Sequence, residues 1–211
     1  MALAMALAGR AAVALPGRAV AAPSLVFEET AVTVKGLTPE GHAVLFGISW
    51  EKENGVAQLV RRESLLPDNN GDGEVRKDLG KRIPPKSVWF AVDLESGELA
   101  VRQPHAAVLT KAPFPVWSLP FPVDHLELRR NFVQLVIVRP GVGAWGGRVR
   151  DGFASDPDGK RNGIVQVRLD RLWALGDSPP APKVLAAGDL LLIVDPSWAQ
   201  YMTFRMHRGG G

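Results

Sequence analysis

What most constrains this chain is a rhythm of short extended runs broken by turn residues. From Ser24 onward, segments such as LVFEE, AVTVKGL, HAVLFGISW, VAQLVRRES, GEVRKDL, SVWFAVDL and ELAVRQ follow one another through the first half. Val32 and Val34 alternate with Thr33 and Lys35, and Leu99 and Val101 with Ala100 and Arg102. A period of two places one face of a strand in a core and the other in water, which is how antiparallel sheets are built. The connections TPEG, EKENG, DNNGDG and ESG supply Gly, Asn and Asp where tight turns need positive φ. No stretch of this half sustains a helical stripe. Seven short strands at such spacing predict an antiparallel sandwich.

The second half repeats the rhythm loosely. NFVQLVIVRP through NGIVQVRLDRL lies over HAVLFGISW through GEVRKDL, and Val194-Asp195 falls on Val92-Asp93. The same alignment lays Asp156 over Asp68. Its offset grows mainly in the Pro-rich GDSPPAPK, expected to be a surface insertion. The expectation is an all-β chain of two tandem antiparallel β-sandwich domains, Ig-like in rhythm. The first spans 24–103 and the second 124–206, joined by a Pro-rich linker over 104–123 and followed by a flexible tail over 207–211. The linker aromatics Phe114, Trp117 and Phe121 are expected to pack between the domains, because a free linker would not carry them.

The tandem pattern, with a D-x-N-x-D-G-x-V turn leading a strand, resembles bacterial immunoglobulin-like or fibronectin-III-like modules of exported proteins. That resemblance rests on fold rhythm. It implies display, spacing or partner contact, and it transfers no catalytic residue. The Cys–Trp–Cys signature of antibody domains is missing, and the single Tyr201 cannot give a tyrosine corner to both halves.

Composition closes several routes. There is no cysteine, which excludes disulfides, zinc–thiolate sites and cysteine nucleophiles. Net charge is +3, and the basic residues are scattered pairs rather than a tract, so no nucleic-acid partner is expected. No apolar run is long enough to span a bilayer. Residues 1–23 read as a signal peptide or a disordered Ala-rich leader, with Ala19-Val20-Ala21 as the small-x-small site. Export is the preferred reading, giving a periplasmic, cell-surface or secreted protein that is monomeric by default.

The acidic stretch PDNNGDGEV offers the clearest chemistry. Counting from Asp68, Asn70 and Asp72 occupy the third and fifth positions of a calcium loop, Gly73 the sixth and Glu74 the seventh. The twelfth position is Leu79, so the bidentate carboxylate is missing, and a strand rather than a helix follows. Two accounts stand: a tight turn capped by side-chain oxygens, which explains each residue without a metal, or weak calcium binding. No other cofactor is expected.

Elsewhere, GVGAWG spells a dinucleotide fingerprint with Gly141, Gly143 and Gly146, but the strand-like GRVRDGF follows where a helix is required. Ser49 in FGISWE lacks the second Gly of a nucleophile elbow. His125 and Glu127 share a strand face. Trp50, Trp145 and Trp198 fall at strand ends or loops and are candidate contacts for a protein or glycan partner, whereas Trp89 reads as core. The leading expectation is a non-catalytic interaction or structural module. Its rivals are a calcium-stabilised spacer and a hydrolase with a site between the domains.

Overall fold

The computed structural model describes residues 22–53, 56–105, 109–112, 116–117 and 125–206. Most of the 1–23 leader, the 207–211 tail, Phe114 and Phe121 lie outside the described residues. The chain is all-β. Among the described residues, the helical piece is the single 3-10 turn Leu169–Arg171, and no helix is long and apolar enough to cross a membrane.

The first half forms β1 (Ser24–Phe27), β2 (Ala31–Lys35), β3 (His42–Glu53), β4 (Val56–Pro67), β5 (Glu74–Asp78), β6 (Ser87–Asp93) and β7 (Leu99–Arg102). They make two sheets, β1-β2-β5 (sheet I) and β4-β3-β6-β7 (sheet II). The second half forms β8 (Thr110–Lys111), β9 (Val116–Trp117), β10 (His125–Leu128), β11 (Phe132–Arg139), β12 (Gly143–Arg150), β13 (Val165–Arg168), β14 (Trp173–Ala174), β15 (Leu190–Asp195) and β16 (Gln200–Arg205). They make a six-stranded sheet, β14-β12-β11-β15-β16-β8 (sheet III), and a three-stranded sheet, β13-β10-β9 (sheet IV).

Without the edge additions β8 and β14, the strand order of sheets II and III is the same, and so is that of sheets I and IV. Pairing is antiparallel except for β8 against β16. Both β8 and β9 arise from the segment expected to be linker, so that stretch contributes strands to the second half as well as connecting it. Thr110 donates its amide to Ala199 O at 2.9 Å, and Ala112 to Tyr201 O at 3.0 Å.

Alternation decides how the sheets stack. On β3, Ala43 and Leu45 face sheet I, while Val44, Phe46 and Ile48 face the other way; on β6, Trp89 and Ala91 oppose Val88, Phe90 and Val92. In the second half, Val133, Leu135, Ile137, Leu191 and Ile193 face sheet IV. Val136, Val138, Leu190, Leu192 and Val194 instead meet Phe46, Phe90 and their neighbours in one common cluster. The molecule is therefore a stack of four sheets, I-II-III-IV, with three apolar layers between them. The middle layer belongs to both halves.

Every residue of β6 and β15 is buried. Strands covered on both faces need apolar side chains at successive positions, and SVWFAVD and LLLIVD are such runs. Phe90 carries the middle layer across: its ring stacks on Phe46 at 5.5 Å and meets Tyr201 of β16 edge-on at 5.4 Å. In the outer layer, Trp89 lies across Gly47 of the paired strand. A Cβ there would sit 2.5 Å from the indole, so the ring needs glycine beneath it.

Candidate functional site

Loop chemistry at the ends of the strands is largely consumed by the backbone. Asp68 follows β4 directly and is 3% exposed. Its carboxylate accepts the amides of Gly73 at 2.8 Å, Gly71 at 3.0 Å and Glu40 at 3.2 Å. Burial pushes its carboxyl up, but amide hydrogen bonds from Gly73, Glu40, Gly71 and Asn70 outweigh that and hold it below the ordinary value.

Asp72 accepts the Glu74 amide at 2.8 Å and the Asn70 Nδ2 amino group, also at 2.8 Å. Glu74 turns away to pair with Lys35 at 2.9 Å. Gly73 has φ 76°, and a Cβ there would meet Leu37 O at 2.9 Å. The four candidate calcium ligands thus divide between backbone capping and a surface ion pair. Among the described residues, no three His, Cys, Asp or Glu side chains gather closely enough to hold a metal.

Strand pairing identifies the counterpart of Asp68. His42 pairs with Pro67, and the Asp68 amide donates to Gly41 O. In the second half Phe132 pairs with Arg150, and the Asp151 amide donates to Asn131 O. Asp151 Oδ2 then accepts the Gly163 amide, twelve residues on, as Asp68 accepts Gly73, five residues on. Asp151, rather than Asp156, is the equivalent carboxylate. The sequence alignment misses this because the second loop is longer between the same two anchors.

Asp156 lies inside the longer loop, 3% exposed, and accepts the amides of Gln166 at 3.2 Å and Gly152 at 3.3 Å. Burial holds its carboxyl above the usual aspartate value despite those bonds. The pairing of Asp93 with Asp195 does hold in space. Each ends an equivalent strand, is fully buried, and accepts the amide two residues on, Glu95 at 3.1 Å or Ser197 at 2.9 Å. Each also receives a side chain from the loop before β3 or β11: the Thr38 hydroxyl at 2.6 Å, or the Arg130 guanidinium at 2.9 Å.

The tryptophans separate. Trp198 is 62% exposed, with Arg130 lying 5.3 Å from its ring centre. Trp50 is half-buried against the middle layer. Trp145 is inside β12, 1% exposed, with its Nε1 donating to Pro179 O at 2.7 Å. The Pro-rich insertion covers that indole and supplies its acceptor, so Trp145 offers no surface. Trp89 is core as expected.

The G-x-G-x-x-G glycines answer to packing rather than to a phosphate. Gly143 lies against Ser178 and Pro179. A Cβ on Gly146 would fall 2.5 Å from Arg61 Nη2 and 2.7 Å from Glu63 Oε2. Arg61 reaches out of sheet II to donate to the carbonyls of Gly147 and Leu135, pairs with Glu63, and lies 4.8 Å from the Trp173 ring centre. Trp173 in turn donates its Nε1 to Glu63. Ser49 is fully buried, donating to Glu51 at 2.6 Å and accepting from Arg62 at 2.8 Å, as a strand hydroxyl would. His125 Nε2 approaches Glu127 to 3.9 Å.

Scattered in the sequence but gathered in space are the arginines of the second half. Two adjoining clefts, about 540 and 670 Å³, share Arg148, Ala154 and Ser155. Arg168, Arg171 and Trp173 line the first, and Arg150, Phe153 and Asn131 the second. The long loop that follows Asp151 forms a wall of both. Sequence reading missed this groove because Arg148 and Arg150 are separated from Arg168 and Arg171 by that loop. The usable signal was the alternation Arg148-Val149-Arg150, which sets both arginines on one side of β12.

No protein-family model matches the chain, and no curated protein resembles it in sequence.

Proposed function

We propose that this protein is a non-catalytic β-sandwich module, working outside the cytoplasm, that holds a loop-and-groove surface rigidly toward a protein or glycan partner. We further infer that it is built from two copies of one seven-strand unit of fibronectin-III-like type. In each half the fourth strand joins the third, sixth and seventh. In constant-type immunoglobulin domains it joins the first, second and fifth instead. The leader pattern before Pro23 supports export.

One observation carries the functional reading. The buried carboxylates that could serve as acid, base or ligand are engaged in fixing backbone, as Asp68, Asp93, Asp156 and Asp195 each accept main-chain amides. A group held in this way by several amides serves loop geometry better than proton transfer. Exposed Trp198 and the arginine groove remain to meet something else. The calcium-spacer rival loses support because the Asp68 oxygens already face amide hydrogens.

Two measurements test the proposal. An array of oligosaccharides and peptides, read for retention and for cleavage, is expected to give retention alone; cleavage of any probe by the purified chain would overturn it. Melting with and without calcium at about 5 mM, ample for a weak extracellular site, is expected to give identical curves. A calcium-dependent rise lost in Asp72→Asn would restore the spacer.

A further inference from the structure

The two halves share strand order and register, so each is a control for the other. Between β4 and β5 in the first half lies a cleft of about 410 Å³ lined by Arg61, Arg62, Glu63, Lys77 and Asp78. Its arginines are neutralised: Arg61 pairs with Glu63, and Arg62 with Glu51 at 2.6 Å. The corresponding place in the second half, between β12 and β13, is the groove described above. There Arg168 pairs with Asp170 at 2.6 Å, but Arg148, Arg150 and Arg171 have no ion pair among the described residues and are exposed. The one carboxylate lining it, Asp156, is turned to the amides of Gly152 and Gln166.

The longer loop makes the difference. It departs from the first-half geometry after Asp151, returns at Gly163, and between them sets Phe153, Ser155 and Arg161 beside the strand arginines. Phe153 is 43% exposed, with Arg150 and Arg161 lying 4.5 and 5.9 Å from its ring centre. At the other end, Trp173 is 40% exposed and held flat by its bond to Glu63 and by Arg61 beside its ring. An aromatic ring in each cleft thus accompanies a trough of guanidinium groups, with neutral Ser155 shared by both clefts and Asn131 in the second.

We propose that this groove binds an anionic oligosaccharide, carboxylated or sulfated. Guanidinium forks match the planar or threefold oxygens of such groups and hold them by paired charge-assisted hydrogen bonds. Exposed indole and phenyl faces take the apolar faces of sugar rings, and neutral hydrogen-bonding side chains suit hydroxyls. The long loop walls the trough on one side, and a concave site of this kind suits a single flexible chain. A single-stranded nucleic acid would call for a longer succession of stacking rings than the two present. The inference rests on the interaction-module reading and names its ligand class.

The test is calorimetric titration of the full chain at about 0.15 M salt, where exposed charges are already screened beyond ~8 Å. The probes are an oligogalacturonate hexamer, a heparin-derived hexasaccharide, neutral maltohexaose and a single-stranded DNA 12-mer. One or both anionic sugars are expected to bind, and the double variant Arg148→Gln/Arg171→Gln to weaken them at least tenfold with an unchanged melting curve. Both arginines are exposed, so the fold tolerates the change. Arg76→Gln, on β5 of sheet I and paired with Glu28 at 2.9 Å, lies outside both clefts and is expected to leave binding unaltered.

Failure of both anionic sugars to bind, equal binding of maltohexaose, tighter binding of the DNA, or indifference to the double variant each overturns the proposal. Binding lost in Arg76→Gln but retained in the double variant overturns it while leaving the module reading intact. Shortening of either sugar in the same mixtures, followed by mass, overturns the non-catalytic reading itself.

Discussion

Consider Phe90→Ala. Phe90 is fully buried in the middle layer, stacks on Phe46 and meets Tyr201 of the second half edge-on. Truncating a buried phenyl costs about 3–5 kcal/mol through lost transfer energy and the cavity left behind. The two ring pairs place this site toward the upper end, each adding about 0.5–1.5 kcal/mol beyond area burial. For a chain of this size that lowers Tm by roughly 6–20 °C.

The informative quantity is where the loss is felt. If sheets II and III share one core, opening either exposes the other, and the substitution destabilises both together. Peptide-resolved hydrogen exchange reads this directly, since core amides exchange through the most global openings. Amides of β3 and β6 are expected to lose about two to three and a half decades of protection, at ~1.4 kcal/mol per decade. Those of β11 and β15 should lose the same. Protection lost in β3 and β6 but unchanged in β11 and β15 would refute the shared layer, as would two separate melting transitions of which one shifts.

Three further outcomes follow from the contacts. Burial pushes the Glu51 carboxyl up, but Arg62, Lys81 and Ser49 more than reverse that and bring it down to about 2. Its contribution is therefore present above the unfolded value near 4.3 and fades as pH falls toward 2; Glu51→Gln should cost about 1–3 kcal/mol at pH 7 and nothing near pH 2, by urea titration at each pH. Gly146→Ala pushes against Arg61 and Glu63 where two halves interlock, and should cost about 1–3 kcal/mol by thermal melting; an unchanged Tm would mean that Arg61 moves aside freely. Gln134 is 4% exposed and its Oε1 has no hydrogen-bond partner among the described residues, so Gln134→Leu is expected to stabilise by about 1 kcal/mol in the same assay.

Much of the architecture was legible because polarity alternation and turn residues are local. Val32 and Val34 marked β2, and the Gly-Asp-Gly turn marked the entry to β5. Asp93 and Asp195 could be paired because both end apolar runs of the same kind. The stacking of the halves was less visible, although a signal existed. Strands such as Leu99–Arg102 alternate, while SVWFAVD and LLLIVD do not, and an unbroken apolar run implies cover on both faces.

Trp145 was misplaced because its cover and hydrogen-bond acceptor come from Pro179, far along the chain. Asp156 was aligned to Asp68 by motif, whereas strand register, which sequence alone does not print, assigns that role to Asp151. The arginine groove depends on which edge of which sheet each residue occupies; the alternation Arg148-Val149-Arg150 marks one side of it, and nothing in the spacing ties that side to Arg168 and Arg171.

The shared middle layer has a consequence for inheritance. A polypeptide ending near Gln103 would present Val44, Phe46, Ile48, Val88, Phe90 and Val92 to water as one continuous oily face. Unlike beads that genomes shuffle, lengthen or trim one at a time, these two units travel together or not at all. Any lineage that gains or loses length here must do so at the wet outer sheets or in the loops.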